Sequence, residues 1–70
     1  MSNSVYKIIE LVGTSTTSWE DAAKNAVDQA GKSLKDLRIA EIKELDMKIE
    51  DGKVAAYRAN VRISFKYKDE

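Results

Sequence analysis

The amino-acid sequence predicts an α+β fold with the element order β-α-β-β, and three features carry that prediction. Over residues 54–67 the apolar Tyr57, Ala59, Val61, Ile63, Phe65 and Tyr67 alternate with Arg58, Asn60, Arg62, Ser64 and Lys66. Period-two alternation of that length is a half-buried antiparallel strand. Asp51-Gly52 just upstream is a hairpin signal, which places another strand before it. Ser18-Trp19-Glu20-Asp21 sets a hydroxyl and two carboxylates ahead of an alanine-rich segment, which is how a helix begins.

Taken in order, residues 5–12 are rich in β-branched and aromatic types and are stopped by Gly13, which predicts the first strand. Thr14 to Thr17 read as a polar connection. The helix is predicted over residues 19–33, with Ser18 as its cap and Asp21 at the capping-box position. Glu20 and Asp21 also complement the positive end of the helix dipole. Ala23, Val27, Ala30 and Leu34 recur at helical spacing, and Ala22 and Ala26 widen their stripe. Such small residues let a helix lie close against a sheet.

Residues 39–48 supply the second strand, whose apolar residues fall on two parities. Leu37, Ile39, Leu45 and Met47 share one parity, and Ala40 and Ile42 share the other. Both of its faces are therefore expected to be apolar, one meeting the helix and the other a neighbouring subunit. No repeat, linker or low-complexity stretch interrupts the chain, so residues 1–70 read as one domain.

Composition bounds the chemistry. With no His and no Cys there is no imidazole base, no thiolate, no zinc site of the usual kind and no disulfide, so an enzyme is not expected. A metal would have to be a hard cation, Ca²⁺ or Mg²⁺, held by oxygen ligands. Twelve basic residues balance twelve acidic ones, which argues against a nucleic-acid or anionic-membrane partner. No apolar run approaches the ~20 residues that span a bilayer, and residues 1–4 lack a signal pattern, so the expected location is cytoplasmic. A chain of 70 residues buries little surface by itself, and without disulfides self-association is the supplement left.

Val5-Tyr6-Lys7, Glu10-Leu11-Val12-Gly13-Thr14-Ser15, the Trp19-Glu20-Asp21-Ala22-Ala23 helix start, Leu34, Leu37, Glu41, Asp51-Gly52-Lys53 and the alternation from Tyr57 to Phe65 together resemble the dodecins, over almost the whole chain. The resemblance implies a three-stranded antiparallel sheet partly wrapped around the helix. It also implies a hollow, spherical homododecamer. Many dodecins store or buffer flavins in pockets where subunits meet. In those members a Trp on the second strand stacks on the flavin ring and a Gln on the third hydrogen-bonds it. Here these positions are Ile39 and Arg58. The resemblance thus marks Arg38, Ile39, Glu41 and Arg58 as the ligand-pocket positions of this chain. Arg38, Ile39, Arg58 and the Trp19 helix start are similar to a branch that does not bind flavin, some members of which are described as calcium-associated.

The chemistry of the departures points the same way. Ile lacks the π-face that stacks on a ring, and Arg cannot accept a hydrogen bond as a Gln amide can. The resemblance and its departures imply a non-enzymatic dodecamer that binds or stores a small molecule or ion, with tight flavin binding disfavoured. A dodecin that stores and buffers riboflavin or FMN is the alternative.

Arg58 and Arg62 read first as ion-pair partners of Glu41, Glu44 or Asp46 and second as an anion clamp, and the resemblance implies Glu41 as the partner of Arg58. Glu10, Glu41, Glu44, Asp46, Glu50 and Asp51 could include cation ligands, although no spacing matches a dedicated cation loop. Tyr57, Phe65 and Tyr67 read as core, and Lys66, Lys68, Asp69 and Glu70 as a solvated tail.

Overall fold

The computed structural model describes residues 3–68. Strand β1 (Val5–Ser15), helix α1 (Trp19–Ser33), strand β2 (Leu37–Glu50) and strand β3 (Lys53–Lys68) follow in the predicted order. The strands form one sheet in the order β1-β3-β2, and both pairs are antiparallel. The alternating strand β3 is therefore central.

Helix α1 starts where its cap predicts. Ser18 is extended, at φ −164°, and its hydroxyl oxygen accepts a bond from the Asp21 N–H at 3.0 Å. At the far end the Leu34 N–H bonds the Ala30 carbonyl at 2.9 Å, and Asp36 then turns the chain at φ 61°. The buried stripe centres on Ala22, Ala26 and Ala30, with Ala23 and Val27 only partly buried beside it. Those three alanines close on Ala59, Val61 and Ile63 of β3, which are 0%, 0% and 1% exposed. These six residues are the core.

Gly13 does not stop β1. The strand continues through Thr14 and Ser15, and Gly13 pairs with Ala59 in mid-strand. A Cβ at Gly13 would run into the backbone carbonyl oxygen of Ala22 and stand 3.0 Å from the Ala26 Cβ. The glycine marks a place where the helix backbone lies directly against the sheet. Ser15 is what ends the strand: its hydroxyl donates to Asp21 at 2.8 Å and accepts from the Thr17 N–H at 2.9 Å.

The two-sided apolar character expected of β2 is also corrected. The β2–β3 register slips between Leu37 and Ile39, between Ile42 and Glu44, and between Lys48 and Ile49. Each bulge shifts the side-chain parity by one. As a result Leu37, Ala40, Ile42, Leu45 and Met47 all pair with residues on the helix side of β3, and Ile49 follows Met47 at the same parity along β2. Only Ile39 among the apolar residues of β2 points to the other side, beside Ser64.

Of the three aromatics read as core, Tyr57 and Phe65 are only half-buried and lie outside the six-residue core, and Tyr67 is 60% exposed, with the Lys7 ammonium 5.5 Å from its ring centre. Lys66 and Lys68 belong to β3 and not to a tail; Asp69 and Glu70 lie outside the described residues. The chain measures 54 × 20 × 14 Å with a radius of gyration of 14.4 Å. A compact chain of this length has a radius of about 11 Å. The excess comes from the β2–β3 hairpin, whose strands of 14 and 16 residues outrun a 15-residue helix. At 1.5 Å per residue the helix covers about 22 Å of strands roughly 50 Å long.

Candidate functional site

The sheet face turned away from α1 carries the polar residues of β3, and the register sorts them into rows. Arg58 stands between Thr14 and Asp46, Asn60 between Val12 and Glu44, Arg62 between Glu10 and Glu41, and Ser64 between Ile8 and Ile39. One end of this face, at Ile8 and Ile39, is apolar, and the rest sets charged residues among Thr14, Val12 and Asn60.

The charges are paired across strands. The Arg58 Nε–H and Nη2–H donate to Asp46 Oδ1 and Oδ2 at 2.7 and 3.1 Å, a two-bond fork. Both side chains remain about half exposed. Arg62 Nη1 lies 3.9 Å from Glu41 Oε1. Lys43, displaced by its bulge, reaches Glu10 Oε2 at 3.3 Å. Glu44 has no ion pair among the described residues. The Arg58 hydrogen bonds hold the Asp46 carboxyl below its ordinary value and raise the guanidinium in turn. The Lys43 hydrogen bond and charge likewise lower Glu10.

Arg58 therefore pairs with Asp46 and not with Glu41, which faces Arg62 instead. Ile39 is 66% exposed. Arg38 is exposed at the first bulge and has no ion pair among the described residues. Ile39 and Arg58 share a face, but their rows are six residues apart on β3, the span from Ser64 to Arg58. At 3.3 Å per residue that is about 20 Å. One chain does not bring these two positions together, so a pocket using both must draw on two subunits.

Sequence reasoning treated Asp46 as one of several acids, and here the signal was masked. Counting back from the turn without a bulge puts Asp46 opposite Tyr57 and Arg58 opposite Leu45. The slip between Lys48 and Ile49 moves Asp46 opposite Arg58. The helix side holds a second unforeseen feature, an open cavity of about 420 Å³ lined by Trp19, Glu20, Ala23, Ile42 and Leu45. The Trp19 Nε1–H donates to the Asp46 backbone carbonyl at 3.0 Å, and its ring meets Tyr57 edge-on with centroids 5.3 Å apart. Among the described residues no three acidic side chains converge on a point that could hold a cation. No described helix is long and apolar enough to cross a membrane.

Fold and faces together define a class: a small α+β chain whose single helix covers part of an open three-stranded sheet with a polar outer side. The chain belongs to the dodecin family, whose model matches residues 5–68. The calcium dodecin of Mycobacterium tuberculosis is 46% identical over 63 residues, covering 90% of this chain and 89% of that protein. A dodecin of Thermus thermophilus is 35% identical over 65 residues, covering 93% and 94%. The structure of dodecin from Streptomyces coelicolor matches with a TM-score of 0.90 at 34% identity and covers 100% of both chains.

Proposed function

We propose that this chain, as one dodecin-like unit over residues 1–70, is a subunit of a hollow homododecamer that binds and stores a small molecule or ion without turning it over. Its pocket forms where subunits meet, from Arg38, Ile39, Glu41 and Arg58, and does not hold flavin tightly. It works in the cytoplasm, with no nucleic-acid or membrane partner. The observation that carries this reading is the pairing at Arg58. The side chain at the ring-contacting position already donates to Asp46 and has no acceptor atom to offer a flavin ring. Ile39, at the stacking position, adds contact area without a π-face.

Titration of the purified protein with riboflavin tests the reading, alongside its particle mass by light scattering. The expected results are a mass near twelve chains and binding much weaker than micromolar. Replacing Ile39→Trp and Arg58→Gln together is expected to restore flavin affinity. Submicromolar riboflavin binding by the natural sequence would establish the flavin-storage alternative, and a monomer at micromolar concentration would refute the shell.

A divalent cation is the second reading, favoured by the relative named calcium dodecin. Within one chain no three acidic groups converge among the described residues, so a bound Ca²⁺ draws on carbonyl oxygens or on carboxylates of more than one subunit. On the outer face Glu44 is an acid without an ion pair among those residues and is placed to contribute.

A further inference from the structure

Arg58 has five N–H donors, and two of them are taken by a carboxylate of its own chain. A guanidinium at a ligand position is otherwise a phosphate or carboxylate receptor. What an incoming anion meets here is a neutralised pair. Within one chain the neighbouring rows offer no compensation, because Arg62 lies against Glu41, Lys43 against Glu10, and Glu44 adds an unpaired negative charge among the described residues, while Arg38 stands at the far end of the face, about 20 Å along the strand.

The carboxylate is also held from behind. Asp46 sends its side chain to the outer face while its backbone carbonyl accepts the indole N–H of Trp19 on the helix side. Trp19 is braced in turn by the edge-on contact with Tyr57, which is the β3 neighbour of Arg58. Asp46 is thus anchored through both faces of the sheet, and the fork to Arg58 is not a chance meeting of two long, mobile side chains.

We propose that Asp46 is the specificity-determining residue of this pocket: it occupies the fork of Arg58 as an internal anion and thereby bars ligands that carry a phosphate or carboxylate group. The inference rests on Arg58 being a pocket position. It implies that the chain is one carboxylate away from an anion-selective site, since removing Asp46 leaves an uncommitted guanidinium where the family contacts its ligand.

The probe is inorganic phosphate, an anion small enough to reach Arg58 by itself, because the family's contact at this position is to the flavin ring and not to a phosphate. Isothermal titrations with phosphate are made on the assembled wild-type protein and on Asp46→Asn and Asp46→Ala. Asp46→Asn keeps the side-chain shape and one acceptor oxygen, so the test does not depend on assembly surviving the truncation. Phosphate is expected to bind roughly tenfold more tightly to the variants, the factor that 1.4 kcal/mol produces. Adding Arg58→Ala is expected to abolish the gain. An unchanged phosphate affinity overturns the proposal, as does a gain that survives Arg58→Ala, and failure to detect phosphate with any variant also counts against it. Tight riboflavin binding by the wild type would refute the weak-flavin reading above while leaving this comparison to be judged by itself.

Discussion

The half of the sheet beneath the helix and the half beyond it are made of the same kind of strand and have opposite fates. Under α1, Ala59, Val61 and Ile63 are sealed, and Gly13 lets the backbone of Ala22 come into contact. On β2 every residue after Leu37 is exposed, although Ile42, Leu45, Met47 and Ile49 line its helix side and are 46%, 49%, 43% and 65% accessible. An apolar face formed by bulges is not yet a buried one; the reach of the covering helix decides that. In the proposed shell the second half is completed by another copy of the chain, which gives the comparison its experimental content.

The largest effect is expected where the covered half is tightest. Gly13→Val pushes a branched side chain into the Ala22 carbonyl and the Ala26 methyl, and neither can yield without moving the helix. Overpacking of this kind costs about 3 kcal/mol or more. The loss would appear as a lowered urea midpoint, and a midpoint within error of the wild type would show that α1 can shift away. Ile63→Ala probes the same region by emptying it instead, at about 2–5 kcal/mol for a core position.

Leu45→Lys asks the corresponding question of the uncovered half. The residue is 49% exposed in the isolated chain, so a lysine there is tolerated by the fold itself. In the assembly the same charge must be buried without a partner. Light scattering is expected to show smaller particles while the circular dichroism stays native-like. Intact dodecamers would mean that this stretch of β2 faces solvent.

Smaller effects belong to the outer face. A double-mutant cycle in denaturant is expected to find Arg58→Ala and Asp46→Ala coupled, because removing either leaves nothing for the other to hold. Arg58→Ala and Glu41→Gln are expected to add, since Glu41 faces Arg62. Coupling in the second cycle would imply that a neighbouring subunit's Glu41 reaches Arg58.

The mildest probe is acid. The ordinary values of the two carboxyls are 4.5 for Glu10 and 3.8 for Asp46, and both are lower in the folded chain. Depressed carboxyls contribute stability above their ordinary values and lose it as pH falls through the folded ones. The denaturation midpoint should therefore be flat at neutral pH and fall below about pH 4.5, less steeply once Lys43→Ala and Arg58→Ala remove the cationic partners. An unaltered acid slope in that variant would locate the loss in other carboxyls.

Local signals were legible in the sequence because the physics behind them is local. A hydroxyl before two acids defined the start of α1 at the residue, the alternation of β3 marked its buried and polar sides correctly, and Asp51-Gly52 located the turn. The resemblance to the dodecins rested on the same stretches. Gly13 was misread because a glycine that breaks a strand and one that admits a helix look alike until the helix is in place. The three register slips along β2 were equally hidden, since a bulge is chosen by packing against α1 and β3 and leaves no residue type of its own. Those slips gather the apolar residues of β2 other than Ile39 onto one side and move Asp46 opposite Arg58. The order of elements was thus a property of the chain's periodicities, whereas the partner of each charge on the outer face depended on register, and register is settled only when all three strands and the helix meet.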